Sequence, residues 1–172
     1  YNHKQNLGFL DPEEIESEVM RSHDLIAKAC GDQPKGFIAP AWATSRELVT
    51  VLLKNDYLYD TSLFPSYFMW LTSAKVYWRF RKDERGATVL QRKDRWANLL
   101  GGRKPFFTEG SLIADKRTGA HRLLIIPLPV TPFLRIPCWH TMTFLLPETW
   151  FESVLKNPLK SCYFYYLMHP AD

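Results

Sequence analysis

The stretch from Leu10 to Ser62 alternates helical and extended signals with tight connections, and that alternation limits the available folds more than any other feature of the chain. In "LDPEEIESEVMRSHDLIAKACG", Asp11 is placed to cap a helix, Pro12 suits its first turn, Glu14 stands three residues after the cap, and Gly31 marks the stop. Ile15, Val19, Ser22, Ile26 and Ala29 recur at helical spacing, which predicts an apolar stripe along one side. The extended run "GFIAP" comes next. Thr44 and Glu47, spaced as a capping box, open a second helix at Thr44 or Ser45 that runs through Lys54, and "YLYDTS" predicts another short strand. Helix, strand, helix, strand is the rhythm of a parallel α/β layer, in which functional groups sit on the loops that leave the strands.

The remainder of the chain is less regular. From about Tyr67 to Leu112 the pattern loosens into a basic, aromatic stretch containing "GG", which reads as an insertion at about 67–112. "HRLLIIPLPV" predicts a buried strand interrupted by prolines, "LPETWFESVLK" a short helix with Pro147 near its start, and "CYFYYLMHPAD" a final strand ending at His169. A length of 172 residues suits one domain, spanning 1–172 with the insertion inside it. Hydrophobic residues at 46% and charged residues at 23% exclude a disordered or fibrous chain. Aromatic residues cluster beside prolines in "LFPSYFMW" and "IPCWHTMTF", a pattern that suits either a groove lined with flat surfaces or an aromatic core.

The net charge of +4 is unevenly spread: between Lys75 and Lys104 there are ten basic and three acidic residues. Such a stretch is either a solvated face or a patch for an anionic glycan or a membrane surface, and no recognisable DNA or RNA module accompanies it, so no nucleic-acid partner is expected. Cys30, Cys138 and Cys162 lack the spacing of a disulfide framework or a thiolate zinc site and are expected as buried thiols. No run of about 18 apolar residues occurs. The chain itself carries no visible address, so its compartment is open.

Five histidines are candidates for chemistry: His3, His23, His121, His140 and His169. His23, on the polar side of the first helix, and His121, beside Arg122, are expected to be solvent-exposed. His140 lies in the aromatic loop "IPCWHT", where it would either touch a ligand or make a structural hydrogen bond. His169 stands just past a hydrophobic strand, where α/β folds place catalytic groups.

Taken in order, several short motifs resemble those of the polysaccharide deacetylases of the NodB type, carbohydrate esterase family four. "YNHKQNLGFLDPEEI" is similar to the second half of the family's H-[ST]-x-x-H motif and to the loop and capped helix next to it, which implies His3 as a metal ligand. "GFIAPAW" is similar to the family's "GFRAPAW" wall of the substrate groove, with Pro40 and Trp42 in place and Ile38 where the family has arginine. "YLYDTSLFPS" resembles "GYxYDSSxFP", which implies Asp60 and Pro65 at the other wall, and Leu167 and His169 in "YYLMHP" match a leucine two residues before a histidine.

The resemblance implies an α/β fold, an incomplete distorted (β/α)7-type barrel, and removal of N-acetyl groups from an N-acetylated glycan with the aid of a divalent metal, most commonly zinc. In that chemistry a metal lowers the pKa of a bound water and a histidine protonates the leaving amine. His169 fits the proton-donor role, and Leu167 would wall the pocket for the acetyl methyl. The aspartate pair of the first motif and the first metal histidine would lie upstream of Tyr1. The chain alone is therefore expected to bind zinc poorly and to leave substrate unhydrolysed. Two other readings stand beside this one: a glycan-binding protein that kept the groove and lost catalysis, motivated by Ile38, and a plain α/β structural domain in which His3 and His169 are incidental. A bacterial envelope or periplasmic location rests on family analogy only.

Overall fold

The computed structural model describes residues 6–67, 94–112 and 122–156, together with positions 74, 77–79 and 165. Among the described residues, four short strands, β1 (Gly36–Phe37), β2 (Tyr59–Asp60), β3 (Phe106–Thr108) and β4 (Leu123–Ile125), form one sheet in the order β1-β2-β4-β3. β1, β2 and β4 run parallel, in a register that aligns Phe37 with Asp60 and Asp60 with Ile125, and β3 joins β4 antiparallel. The fold is thus mixed α/β. Among the described residues the sheet is open, with β1 and β3 as edges, and is not closed into a barrel.

Among the described residues, the helices with full bounds are α1 (Pro12–Cys30), α2 (Arg46–Lys54), α3 (Arg95–Leu100) and α4 (Glu148–Lys156). α1 begins and ends where the sequence predicts. Pro12 occupies the first turn, and Gly31 takes the left-handed conformation (φ 75°) that lets its N–H reach the Ala27 carbonyl. The Asp11 side chain makes no capping hydrogen bond, so this start rests on Pro12 and on acidic residues near the helix N-terminus. The predicted stripe is buried only in its N-terminal half: Ile15 and Val19 are buried, whereas Ile26 and Ala29 are exposed. At α2 the cap is Ser45, whose Oγ accepts from the Leu48 N–H at 3.0 Å, rather than the box predicted from Thr44.

α1 and α2 pack on one another. Ile15 and Val19 meet Leu48, Val49 and Leu52 in a core that also takes in Leu123 and Ile125 of β4, and each fully buried aliphatic side chain contributes roughly 1.5–3 kcal/mol. At the rim, the Lys54 ammonium pairs with Glu16 at 2.8 Å and Asn55 Nδ2 donates to the same carboxylate at 3.3 Å, which holds Glu16 below its ordinary pKa. The end of α1 is tied down by His23, half-buried in hydrogen-bond contact with the Tyr57 hydroxyl at 3.2 Å rather than solvent-exposed as predicted. Burial, and then the nearby Asp24 charge, raises the Tyr57 pKa.

The C-terminal part of the stretch read as an insertion returns to this core. Ala97 of α3, Phe106 of β3 and Leu112 pack against it, and β3 covers one side of β4. Most of the basic stretch, His121 and, apart from Tyr165, the strand predicted to end at His169 lie outside the described residues. No helix among the described residues is long and apolar enough to cross a membrane.

Candidate functional site

Because β1, β2 and β4 are parallel and in register, the segments that leave their C-terminal ends emerge side by side. The first carries Ile38, Pro40 and Trp42, the second runs from Thr61 to Ser66, and the third continues from Ile126. Two hydrogen bonds join them: the Ala39 N–H donates to Ser62 Oγ at 2.8 Å, and the Leu128 N–H donates to the Leu63 carbonyl at 2.9 Å. This edge of a parallel layer is where α/β folds commonly place ligands.

Asp60, the last residue of β2, lies fully buried at the head of the second segment. Its Oδ1 accepts from the Ser62 N–H at 3.1 Å and from the Ser62 hydroxyl. Ser62 Oγ therefore stands between the carboxylate and the Ala39 amide, and one serine links the two predicted groove walls. Asp60 Oδ2 is buried and has no hydrogen-bond partner among the described residues. Burial disfavours the charged carboxylate and pushes its pKa up to about 6, against the opposing effect of hydrogen bonds from Ser62 and the Thr61 backbone.

The neighbouring wall is built from strained backbone. Ala41 and Trp42 both take left-handed conformations, with φ of 52° and 51°, inside a 3-10 turn at Pro40–Trp42. Each such residue costs of order 1–3 kcal/mol and persists only where its surroundings hold it. Here the Trp42 N–H donates to Ala39 at 3.1 Å and the Ala43 N–H to Pro40 at 3.1 Å. The Trp42 ring lies 5.2 Å from that of Phe64 and 4.8 Å from that of Trp139, and Phe64 and Trp139 are 5.4 Å apart. Gly8 backs this wall: a Cβ there would overlap the Ala43 carbonyl oxygen.

The structure thus brings Pro40, Trp42 and Asp60 to one edge of the sheet, with Pro65 buried in the same loop as Ser62. His140 comes directly after Trp139, at the start of a 3-10 turn (His140–Phe144). It is half-buried with its ring edge-on to Phe144 at 5.3 Å, and its carbonyl accepts from Thr143 Oγ1 at 2.7 Å. Ile38, at the position where the resemblance expects arginine, is 46% exposed. His3, Leu167 and His169 lie outside the described residues. Ser62, Phe64 and Trp139 join the site without having stood out in the sequence. The one cue for Trp139 is its place beside His140 in an aromatic loop.

The described residues contain no group of three or more histidine, cysteine, aspartate or glutamate side chains placed to hold a metal ion. On this edge the donor set reduces to one enclosed carboxylate already engaged by Ser62 and one imidazole, which does not fit a zinc site by itself. The thiols add nothing to it. Cys138 is buried, with its pKa pushed up to about 12 by burial, whereas Cys30 is exposed rather than buried as predicted, and Cys162 lies outside the described residues.

No family model and no curated protein matches this chain. Among solved structures, the crystal structure of a candidate polysaccharide deacetylase from Mycobacterium smegmatis aligns with a TM-score of 0.44 and 16% sequence identity, over 74% of this chain and 29% of that one. The chain therefore spans less than a third of that protein, and the likeness is coarse and partial.

Proposed function

We propose that this chain forms the substrate groove of a polysaccharide-deacetylase-type domain that takes an N-acetylated glycan. The observation that carries the reading is the Ala39–Ser62–Asp60 bridge, through which the two stretches matched to the family's groove walls meet at the C-terminal edge of a parallel sheet. Trp42 and Trp139 offer the flat apolar surface on which a sugar ring stacks, and the polar backbone of 61–66 lies beside it. In this reading residues 1–172 belong to one domain, Leu167 walls the acetyl methyl, His140 borders the groove, and His3 contributes to a zinc site completed by groups other than the described residues. Amide hydrolysis joins a water oxygen to the acetyl carbon and breaks the carbon–nitrogen bond, and the departing amine takes a proton that His169 would supply.

Titration with N-acetylglucosamine oligomers, monitored by tryptophan fluorescence, tests the groove. Saturable quenching is expected, and Trp42→Ala should weaken it by tenfold or more, roughly the value of one lost stacking surface. A folded protein whose fluorescence does not saturate, or a Trp42→Ala variant with unchanged affinity, contradicts the reading. Ile38 favours a second reading, a glycan-binding domain without hydrolysis, because an isoleucine cannot hold a catalytic carboxylate in place. Acetate release from the same oligomers in the presence of zinc would rule out this second reading.

A further inference from the structure

The polypeptide approaches Trp139 through a tight hairpin whose tip points its side chains outward. Val130 and Pro137 pair antiparallel, the Thr131 N–H donates to the Ile136 carbonyl at 3.0 Å, and the Ile136 N–H donates to Thr131 Oγ1 at 2.9 Å. Between them Pro132, Phe133, Leu134 and Arg135 make the turn. Pro132 has its φ fixed by its ring, Arg135 is held at φ 49°, and Ser66 Oγ donates to the Arg135 carbonyl at 2.6 Å. The base of the hairpin is buried at Thr131, Pro137 and Cys138. A tip clamped on both sides keeps its apolar side chains in water: Phe133 is 89% exposed and Leu134 69% exposed.

The C-terminal end of α3 lies against this tip. Arg135 Nη1 donates to the Gly101 carbonyl at 3.4 Å, and Arg103 Nη1 donates to the Pro132 carbonyl. Trp96 and Leu100, four residues apart and therefore on one face of α3, are also exposed. Arg103 and Arg135 stand at this contact, Arg103 exposed and Arg135 half-buried with its guanidinium 5.5 Å from the Tyr67 ring centre, and the exposed Lys104 follows Arg103 in the chain. The only acidic residue within 94–104 and 131–137 is Asp94, which is buried and accepts from Asn98 Nδ2 at 3.1 Å. An apolar tip on a rigid turn, beside positive charge and with no exposed acid in either segment, is complementary to one kind of surface: a shallow apolar boundary beneath a layer of negative headgroups.

We infer that the 132–135 turn docks this protein onto anionic membranes, with Phe133 and Leu134 entering the headgroup boundary and Arg103, Lys104 and Arg135 facing the lipid phosphates. The inference is independent of the glycan groove and stands or falls separately from it. Burying two such apolar side chains should change vesicle affinity by about a hundredfold, and each basic residue by about fivefold at low salt.

Co-sedimentation of the 172-residue protein with vesicles of phosphatidylcholine alone, and of phosphatidylcholine mixed with phosphatidylglycerol, provides the test. Binding to the mixed vesicles alone, weakened by added salt and lost in the Phe133→Ser/Leu134→Ser variant, is expected. Lys104→Glu should reduce it further than the loss of one charge. Because the substituted side chains are exposed, an unchanged thermal melt will show that the double variant is folded. Three results overturn the inference: no sedimentation of the folded wild type with either vesicle, retention of binding by the double variant, or a tip that instead holds two copies together, seen as a dimer in sedimentation velocity that the double variant dissolves without any vesicle binding.

Discussion

Replacing Asp60 with asparagine should change how stability depends on pH. The carboxyl is fully enclosed and its pKa is raised from 3.8 to about 6, so as pH rises through this window the unfolded chain gives up its proton before the native protein does. The native state then binds more protons than the unfolded state, and stability falls with rising pH. Stability is fully present below about pH 4 and is lost up to about pH 6. The window spans roughly two pH units, and at ~1.4 kcal/mol for each the loss is about 3 kcal/mol. Asparagine keeps an oxygen to accept from Ser62 but does not ionise, so its profile lacks this slope. The amide brings a constant offset of its own, because its N–H groups inherit the enclosed position of Oδ2. The quantity to read is therefore the growth of the stability difference between the two proteins, by urea unfolding, from about pH 4 to about pH 7, with an expected change of about 3 kcal/mol in favour of asparagine. Parallel profiles would refute the reasoning and mean that the carboxylate is compensated by a cation.

Ser62→Ala removes the oxygen that serves both the Ala39 N–H and Asp60 Oδ1, and should cost about 2–4 kcal/mol in urea unfolding; a loss below about 1 kcal/mol would mean that the bridge between the walls is not a structural tie. Gly8→Ala drives a methyl group into the Ala43 carbonyl and should lower stability by about 1–3 kcal/mol, measured as a fall in Tm, whereas an unchanged Tm would show that the 3-10 turn at Leu7–Phe9 can move away from the Trp42 wall. Cys138→Ser should leave the number of thiols labelled by a disulfide reagent under native conditions unchanged, because that thiol is buried and held in its protonated form. Loss of one labelled equivalent would contradict the enclosed core around Trp139.

The features legible in the sequence are local ones. Asp11, Pro12 and Gly31 bracket α1 to the residue because proline's ring fixes the φ that a first helical turn needs, while glycine tolerates the left-handed angle at which a helix stops. The predicted strands at "GFIAP" and "YLYDTS" exist and are parallel, and "LPETWFESVLK" holds α4 directly after Pro147. Where two neighbouring hydroxyls compete for one helix start, the capping-box spacing favours Thr44 while the backbone geometry selects Ser45. The departures are non-local. Phe106–Thr108 closes a basic, aromatic stretch with no alternation of its own, and its place in the sheet depends on Leu123–Ile125 supplying a partner. His23 reads as exposed because Tyr57, its partner, lies far along the sequence in the connection between α2 and β2. At the candidate site, Pro40, Trp42 and Asp60 stand out by motif, whereas Ser62, which joins them, is an ordinary loop serine until Ala39 is placed beside it. The left-handed Ala41 and Trp42 leave no trace in the sequence, since neither is a residue that favours that conformation.

The proposed function rests on one proposition: the edge formed by Trp42, Asp60 and Trp139 receives an N-acetylated sugar. Calorimetric titration of the protein with an N-acetylglucosamine oligomer, and with the matching free-amine oligomer, bears on it without intermediate steps. The acetylated form is expected to bind tighter by about tenfold or more, the value of seating one acetyl methyl and satisfying its amide, and Trp42→Ala is expected to weaken the binding of both forms by about tenfold, the value of one stacking surface. Equal affinity for the two oligomers, or preference for the free amine, would mean that this edge is not an acetamido-sugar site.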